Sequence, residues 1–243
     1  MTPGTLLLLV ALSTFQQKTP IMSTKKGLDR IYENMVIQVN KADYIRTFDL
    51  DHRDVSAFMV EKMNTLSYRG SGTSSASVMG ELIKDNPGKT VEWLLDHYDQ
   101  FSPVGMSHMA ESLCRLENRE CFQVLLAFLE DKRAIVDANA AALYGPPYWH
   151  ERICDRAFAA IAWMVERGKI LPREFNGGIS PHDPINERDE KIQKFKAWWA
   201  PESEVILQKA PALAATRPSL QNKVESVLRK AAVKSDSKNG TRK

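Results

Sequence analysis

Between Gly145 and Pro201 the apolar residues return at helical spacing, which leaves few folds open to the chain. Ile153, Ala157, Ala160, Ile161 and Met164 fall at i, i+4, i+7, i+8 and i+11, so one face of a helix is apolar along its whole length. Cys154, Phe158 and Val165 widen that stripe past one face, and the helix is expected to be covered from two sides. After a Pro/Gly-rich connection, Ile192, Phe195 and Trp199 repeat the spacing at i, i+3 and i+7. The segment reads as an antiparallel helix pair.

The same period runs through the rest of the chain. Leu28, Ile31, Tyr32, Met35 and Val39 predict a first helix. Val55, Phe58, Met59, Met63 and Leu66 predict a second, with Asp51 as its cap and Asp54 three residues on in a capping-box-like relation. Arg69 to Ser77 reads as a Gly/Ser loop, and no Lys follows its glycines as a phosphate loop requires. Further helices are expected through Val78–Ile83, Val91–Tyr98, Met106–Leu116, Phe122–Leu129, Ile135–Leu143, Ser203–Lys209 and Leu220–Leu228. No stretch alternates with period two between turn signals, as a sheet strand does. The expected class is all-α, and 43% hydrophobic residues over 243 suffice for one sizeable core or an elongated helical array.

The ends differ from this body. Thr5 to Phe15 is an apolar run of signal-peptide length, too short to span a bilayer, with Ala11 and Ser13 as small residues before a cleavage point. Residues 1–17 are therefore expected to be a signal peptide or disordered leader, giving a secreted or periplasmic protein. With Met22 as the true start the chain would be cytoplasmic. Residues 24–232 form the expected helical domain, and residues 233–243 a disordered basic tail. The net charge is only +3, but from Thr216 onward Arg217, Lys223, Arg229, Lys230, Lys234, Lys238, Arg242 and Lys243 face only Glu225 and Asp236. A solvated end explains this. The other reading is an anionic-polymer or membrane-surface binder, which lacks interleaved aromatics for nucleic acid.

Cys114, Cys121 and Cys154 lie in apolar helical patterns and are expected to be packed free thiols. A Cys114–Cys121 bridge across a helix turn is the alternative in an exported chain. The five histidines form no HxxxH or HExxH pattern. Helix capping accounts for Asp49, Asp51, His52 and Asp54, and for Asp96, His97 and Asp99, so neither metal nor cofactor is expected. No GxSxG element is present.

The helix pair from about Pro103 to Glu130 starts about 46 residues before the one at Trp149, a spacing of HEAT and armadillo repeats, and SHMAESLCRLENRECFQVLLAFLED fits helix, short turn, helix. Together with RICDRAFAAIAWM and ERDEKIQKFKAWW, it resembles a degenerate HEAT-like unit over about residues 103–199. The resemblance implies a right-handed α-α superhelix, short and irregular, that binds proteins or peptides. It also implies an inter-repeat Asp/basic ladder, for which Asp155 and Arg156 are the matching residues. The connection from Arg167 to Asn186 exceeds a repeat turn, so a compact irregular helical domain remains the structural alternative.

The candidate partner-binding residues are Tyr148, Trp149, His150, Arg152, Asp155 and Trp198. An aromatic, His, Arg and acidic cluster at a helix start suits a peptide or polar ligand. A packed Trp and a solvated first turn, with Glu151 favoured by the helix dipole, is the plainer account. Trp198 and Trp199 point about 100° apart on one helix, so Trp199 continues the apolar stripe while Trp198 packs elsewhere or is exposed. The expected function is a non-catalytic protein-interaction module whose partner is another protein. A helical enzyme or small-ligand binder using His150 and Asp155 is the alternative.

Overall fold

A computed structural model of the chain describes residues 25–37, 45, 48–65, 75–136, 151–167, 173–175, 178–210 and 220–239. Among these residues the architecture is all-helical. The helices are α1 (Lys25–Ile37), α2 (Arg53–Met63), α3 (Ser75–Asp85), α4 (Pro87–Asp96), α5 (Pro103–Leu113), α6 (Arg119–Phe128), α7 (Ile153–Arg167), α8 (Ile185–Lys209) and α9 (Leu220–Asn239). Single 3-10 turns occur at Tyr98–Gln100 and Arg173–Phe175. The leader, most of the 69–77 loop, most of the Ile135–Leu143 helix, and Tyr148, Trp149 and His150 lie outside the described residues. No described helix is long and apolar enough to cross a membrane.

Helix α5 is the hub. It packs against α2, α3, α6 and α7, and Val104 to Ala110, Ser112 and Leu113 are all buried. Pro103 sits at its first turn, where a missing N–H costs nothing, and the Ser102 side chain caps it by accepting from the Gly105 N–H at 3.3 Å. Its polar residues are satisfied inside the protein. His108 Nδ1 faces the Met63 carbonyl at 2.9 Å, and the Ser112 hydroxyl donates to the His108 carbonyl at 2.7 Å. A helix buried over most of its surface has to solve its polar groups this way.

Two rows of helices follow from the contacts. α3, α5 and α7 pack in succession as one row, and α4, α9, α6 and α8 as the other. α1 and α2 close one end, α1 on α2 and α3, and α2 on α3 and α5. The C-terminal helix therefore returns to α4, more than a hundred residues back, through Leu220, Val224 and Val227, all buried. Each fully buried aliphatic side chain of this kind contributes ~1.5–3 kcal/mol.

Three local expectations change. The residue before α2 is His52, which makes no side-chain cap bond. Asp51 instead meets Lys89 at 2.9 Å, and Asp49 meets the same ammonium at 2.6 Å, so both carboxylates face a cation on α4. α8 does not stop before Pro201 but runs through it to Lys209. The proline removes one helical hydrogen bond, yet Trp199 before it and Ile206 after it are both buried, and Arg119 Nε on α6 donates to the Leu207 carbonyl at 3.2 Å. Finally, α9 remains helical to Asn239, past Val233 where a disordered tail was expected to begin.

Candidate functional site

Arg152 and Asp155 are held at the start of α7 by an antiparallel bridge between Ala134 and Arg152. The Ile135 N–H donates to the Glu151 carbonyl at 3.0 Å and the Ile153 N–H to the Arg133 carbonyl at 3.1 Å. Asp155 reaches back to accept from the Arg152 N–H at 3.1 Å, the N3-to-cap half of a capping box. The same carboxylate takes two guanidinium bonds from Arg152, at 2.8 and 3.1 Å, and one from Arg188 on α8. Arg152 also donates to Asp189 at 2.7 Å, which accepts from Lys132 at 2.8 Å.

The result is a chain of alternating charges, Arg188, Asp155, Arg152, Asp189 and Lys132. Burial opposes the charge on Arg152, but its bonds to Asp155 outweigh that and hold its pKa above the ordinary value. Burial likewise works to raise Asp189, while Lys132 and Arg152 more than offset it and lower its pKa. Cys154 is pushed up to about 12 by burial, with the neighbouring Asp155 charge adding to the effect. Arg152 and Asp155 are 7% and 2% exposed, so their charges face one another rather than solvent. Asp155 pairs with Arg188, while Arg156 meets Glu151 at 2.8 Å.

Trp198 is half-buried, with ring centres 5.7 Å from both Phe175 and Phe195. Phe175 belongs to the long connection and is 1% exposed, packed edge-on against Phe158 and Phe195. That connection is therefore pinned to α7 and α8 by its own aromatic anchor. The Lys191 ammonium also donates to the Gly178 carbonyl, at a residue whose φ of +66° suits glycine.

An open surface lies on the other side of α7. A groove of about 340 Å³ runs between α5 and α7, lined by Glu111, Cys114, Arg115, Arg156, Ala159, Ala160 and Trp163. Trp93 and Trp199 are buried, whereas Trp163 is 43% exposed. Arg115 lies flat across α3 because residue 80 is glycine: a Cβ there would sit 2.5 Å from Arg115 Nε. Glu151 is buried behind the groove, and that burial raises its pKa against the opposing pull of Arg156. The signal in the sequence was Trp163 itself, a large aromatic placed off the apolar stripe of its helix.

All three cysteines are free, with Cys121 and Cys154 buried and Cys114 half-buried on the groove. Part of the C-terminal basic charge is paired, Lys223 with Asp96 at 2.7 Å and Lys230 with Asp99. Among the described residues, no group of three His, Cys, Asp or Glu side chains is arranged to hold a metal ion. Set against known proteins, the chain matches no family model, no curated protein and no solved structure.

Proposed function

We propose that the protein is an interaction module whose contact groove is non-catalytic, built of helical hairpins stacked in the manner of a short HEAT-like superhelix. Its α5/α7 groove takes a protruding segment of a partner protein. The observation that carries this reading is Trp163, exposed at 43% beside the small residues Ala159 and Ala160 and the guanidinium groups of Arg115 and Arg156. Exposed Trp and Arg are the side chains that most often dominate binding energy. A partner segment that presents an apolar side chain next to a carboxylate fits both halves of the groove. The successive packing of α3, α5 and α7 supports the stacked-hairpin reading.

The test is a photo-crosslinking side chain at position 163, followed by affinity measurement with the partner it captures. Trp163→Ala is expected to weaken that complex roughly thirty-fold, equivalent to ~2 kcal/mol. Trp198→Ala should change it little, because Trp198 packs on Phe175 and Phe195. Undiminished affinity in a folded Trp163→Ala variant refutes the groove as the contact.

A further inference from the structure

Ser56 on α2 and His97 at the C-terminal end of α4 meet at 3.1 Å, Oγ to Nε2. The hydrogen positions in this contact follow from chemistry. His97 Nδ1 lies 2.9 Å from the Trp93 carbonyl, which can only accept, so Nδ1 carries the proton. In the neutral imidazole Nε2 then offers a lone pair. The Trp93 indole N–H can only donate, and it reaches Ser56 Oγ at 2.8 Å. The hydroxyl proton of Ser56 is thereby directed at His97 Nε2. A serine, a base and a carbonyl that orients the base stand in line, as in a hydroxyl activated for attack.

The surroundings favour the charge that attack would create. His97 is the C-cap of α4, where the helix end favours a cation, and its ring stacks on Trp93 with centres 4.6 Å apart. Both Ser56 and His97 line an open cleft of about 400 Å³ whose wall includes Leu50, Ala57 and Val60. Arg53, one turn before Ser56, lines the same cleft with Lys89, among the carboxylates of Asp51, Glu92 and Asp96.

We propose that Ser56 is a nucleophile activated by His97, which takes an acyl group from a small, short-chain ester bound in this cleft. Ser56 Oγ bonds to the ester carbonyl carbon as its proton passes to His97 Nε2. The ester C–O bond then breaks, and the leaving oxygen takes that proton and departs as the alcohol. A water oxygen, deprotonated by the same nitrogen, then bonds to the acyl carbon; the bond to Ser56 Oγ breaks, Oγ takes the proton back from His97, and the carboxylic acid leaves. This site lies on α2 and α4, apart from the α5/α7 groove, and it stands or falls independently of the interaction reading.

The experiment is treatment of the intact protein with p-nitrophenyl acetate and with a fluorophosphonate, followed by peptide mass mapping. Wild-type protein should carry the adduct on Ser56 in preference to its other serines and lysines. His97→Gln should slow p-nitrophenol release about a hundred-fold or more while retaining helical content by circular dichroism, and Ser56→Ala should lose the adduct. Labelling on lysines alone, or no adduct on Ser56 in folded wild-type protein, overturns the proposal without recourse to any variant. Equal rates in folded His97→Gln overturn the role of the base. A contact that only clasps α2 to α4 would move the thermal midpoint of the variants but leave no Ser56 adduct.

Discussion

The Asp155 carboxylate on α7 and the Arg188 guanidinium on α8 form an ion pair whose side chains are only 2% and 1% exposed. Neither group has water to fall back on, and Arg152 closes the other side of the carboxylate. The pair joins the two helices flanking the long connection, so its geometry sets the angle at which that connection must close.

Removing the carboxylate leaves two guanidinium groups buried without it. Asp155→Ala should therefore cost ~3–5 kcal/mol in urea unfolding. Asp155→Ala combined with Arg188→Met should recover part of that loss, since the second change removes one of the stranded charges. A single-variant cost below about 1 kcal/mol would show that the network does not hold the helices together.

Gly105 on α5 lies against Asn64, the residue that ends α2. A Cβ there would stand 2.4 Å from Asn64 Oδ1 and 3.0 Å from Phe101 Cβ. Asn64 Oδ1 accepts the Ser102 N–H at 2.8 Å, so the clash disturbs the turn that starts α5. Gly105→Ala should destabilise by ~1–3 kcal/mol, read as a lower denaturation midpoint. No change would mean that Asn64 swings aside freely.

Burial lowers the pKa of His108, against the opposing hydrogen bond to the Met63 carbonyl. As pH falls below about 6.5 the unfolded chain takes up a proton that the folded protein resists. Stability should be complete above that pH and decline as pH drops toward the folded-state value. His108→Gln should flatten this part of the profile. Asp189 acts lower down: its depressed pKa gives stability that is present above about pH 4 and lost as pH falls through the folded value. Asp189→Asn should remove only that second decline.

Thiol reagents should distinguish the cysteines. Cys121 and Cys154 are buried, and burial raises the pKa of both, so neither should react in the native protein. Cys114, half-buried on the groove, should be modified alone, and a partner seated in the groove should protect it. Rapid modification of all three thiols in folded protein would contradict this burial pattern.

The helices were legible because their signal is local. The stripe Ile153, Ala157, Ala160, Ile161 and Met164 emerges as a buried face. Pro201 misled because its effect on a helix is local while Ile206 is buried by distant residues. Arg152 and Asp155 read as an exposed charged turn for the same reason: their partners, Arg188 and Asp189, sit on another helix. Trp163 was not singled out in the sequence: it stands off the stripe of its helix, but its exposure depends on how α7 packs against α5.

The sequence by itself determined that this chain is helical and where most of its helices lie, since the apolar period acts within a few residues. Only the tertiary structure decided which helices meet, and with that the return of α9 to α4, the Asp155–Arg188 pair and the contact of Ser56 with His97. Those residues stand 33 and 41 positions apart, and their side chains converge only because burial of the apolar faces sets the helices side by side. Spacing along the chain records the faces, and packing alone selects their neighbours.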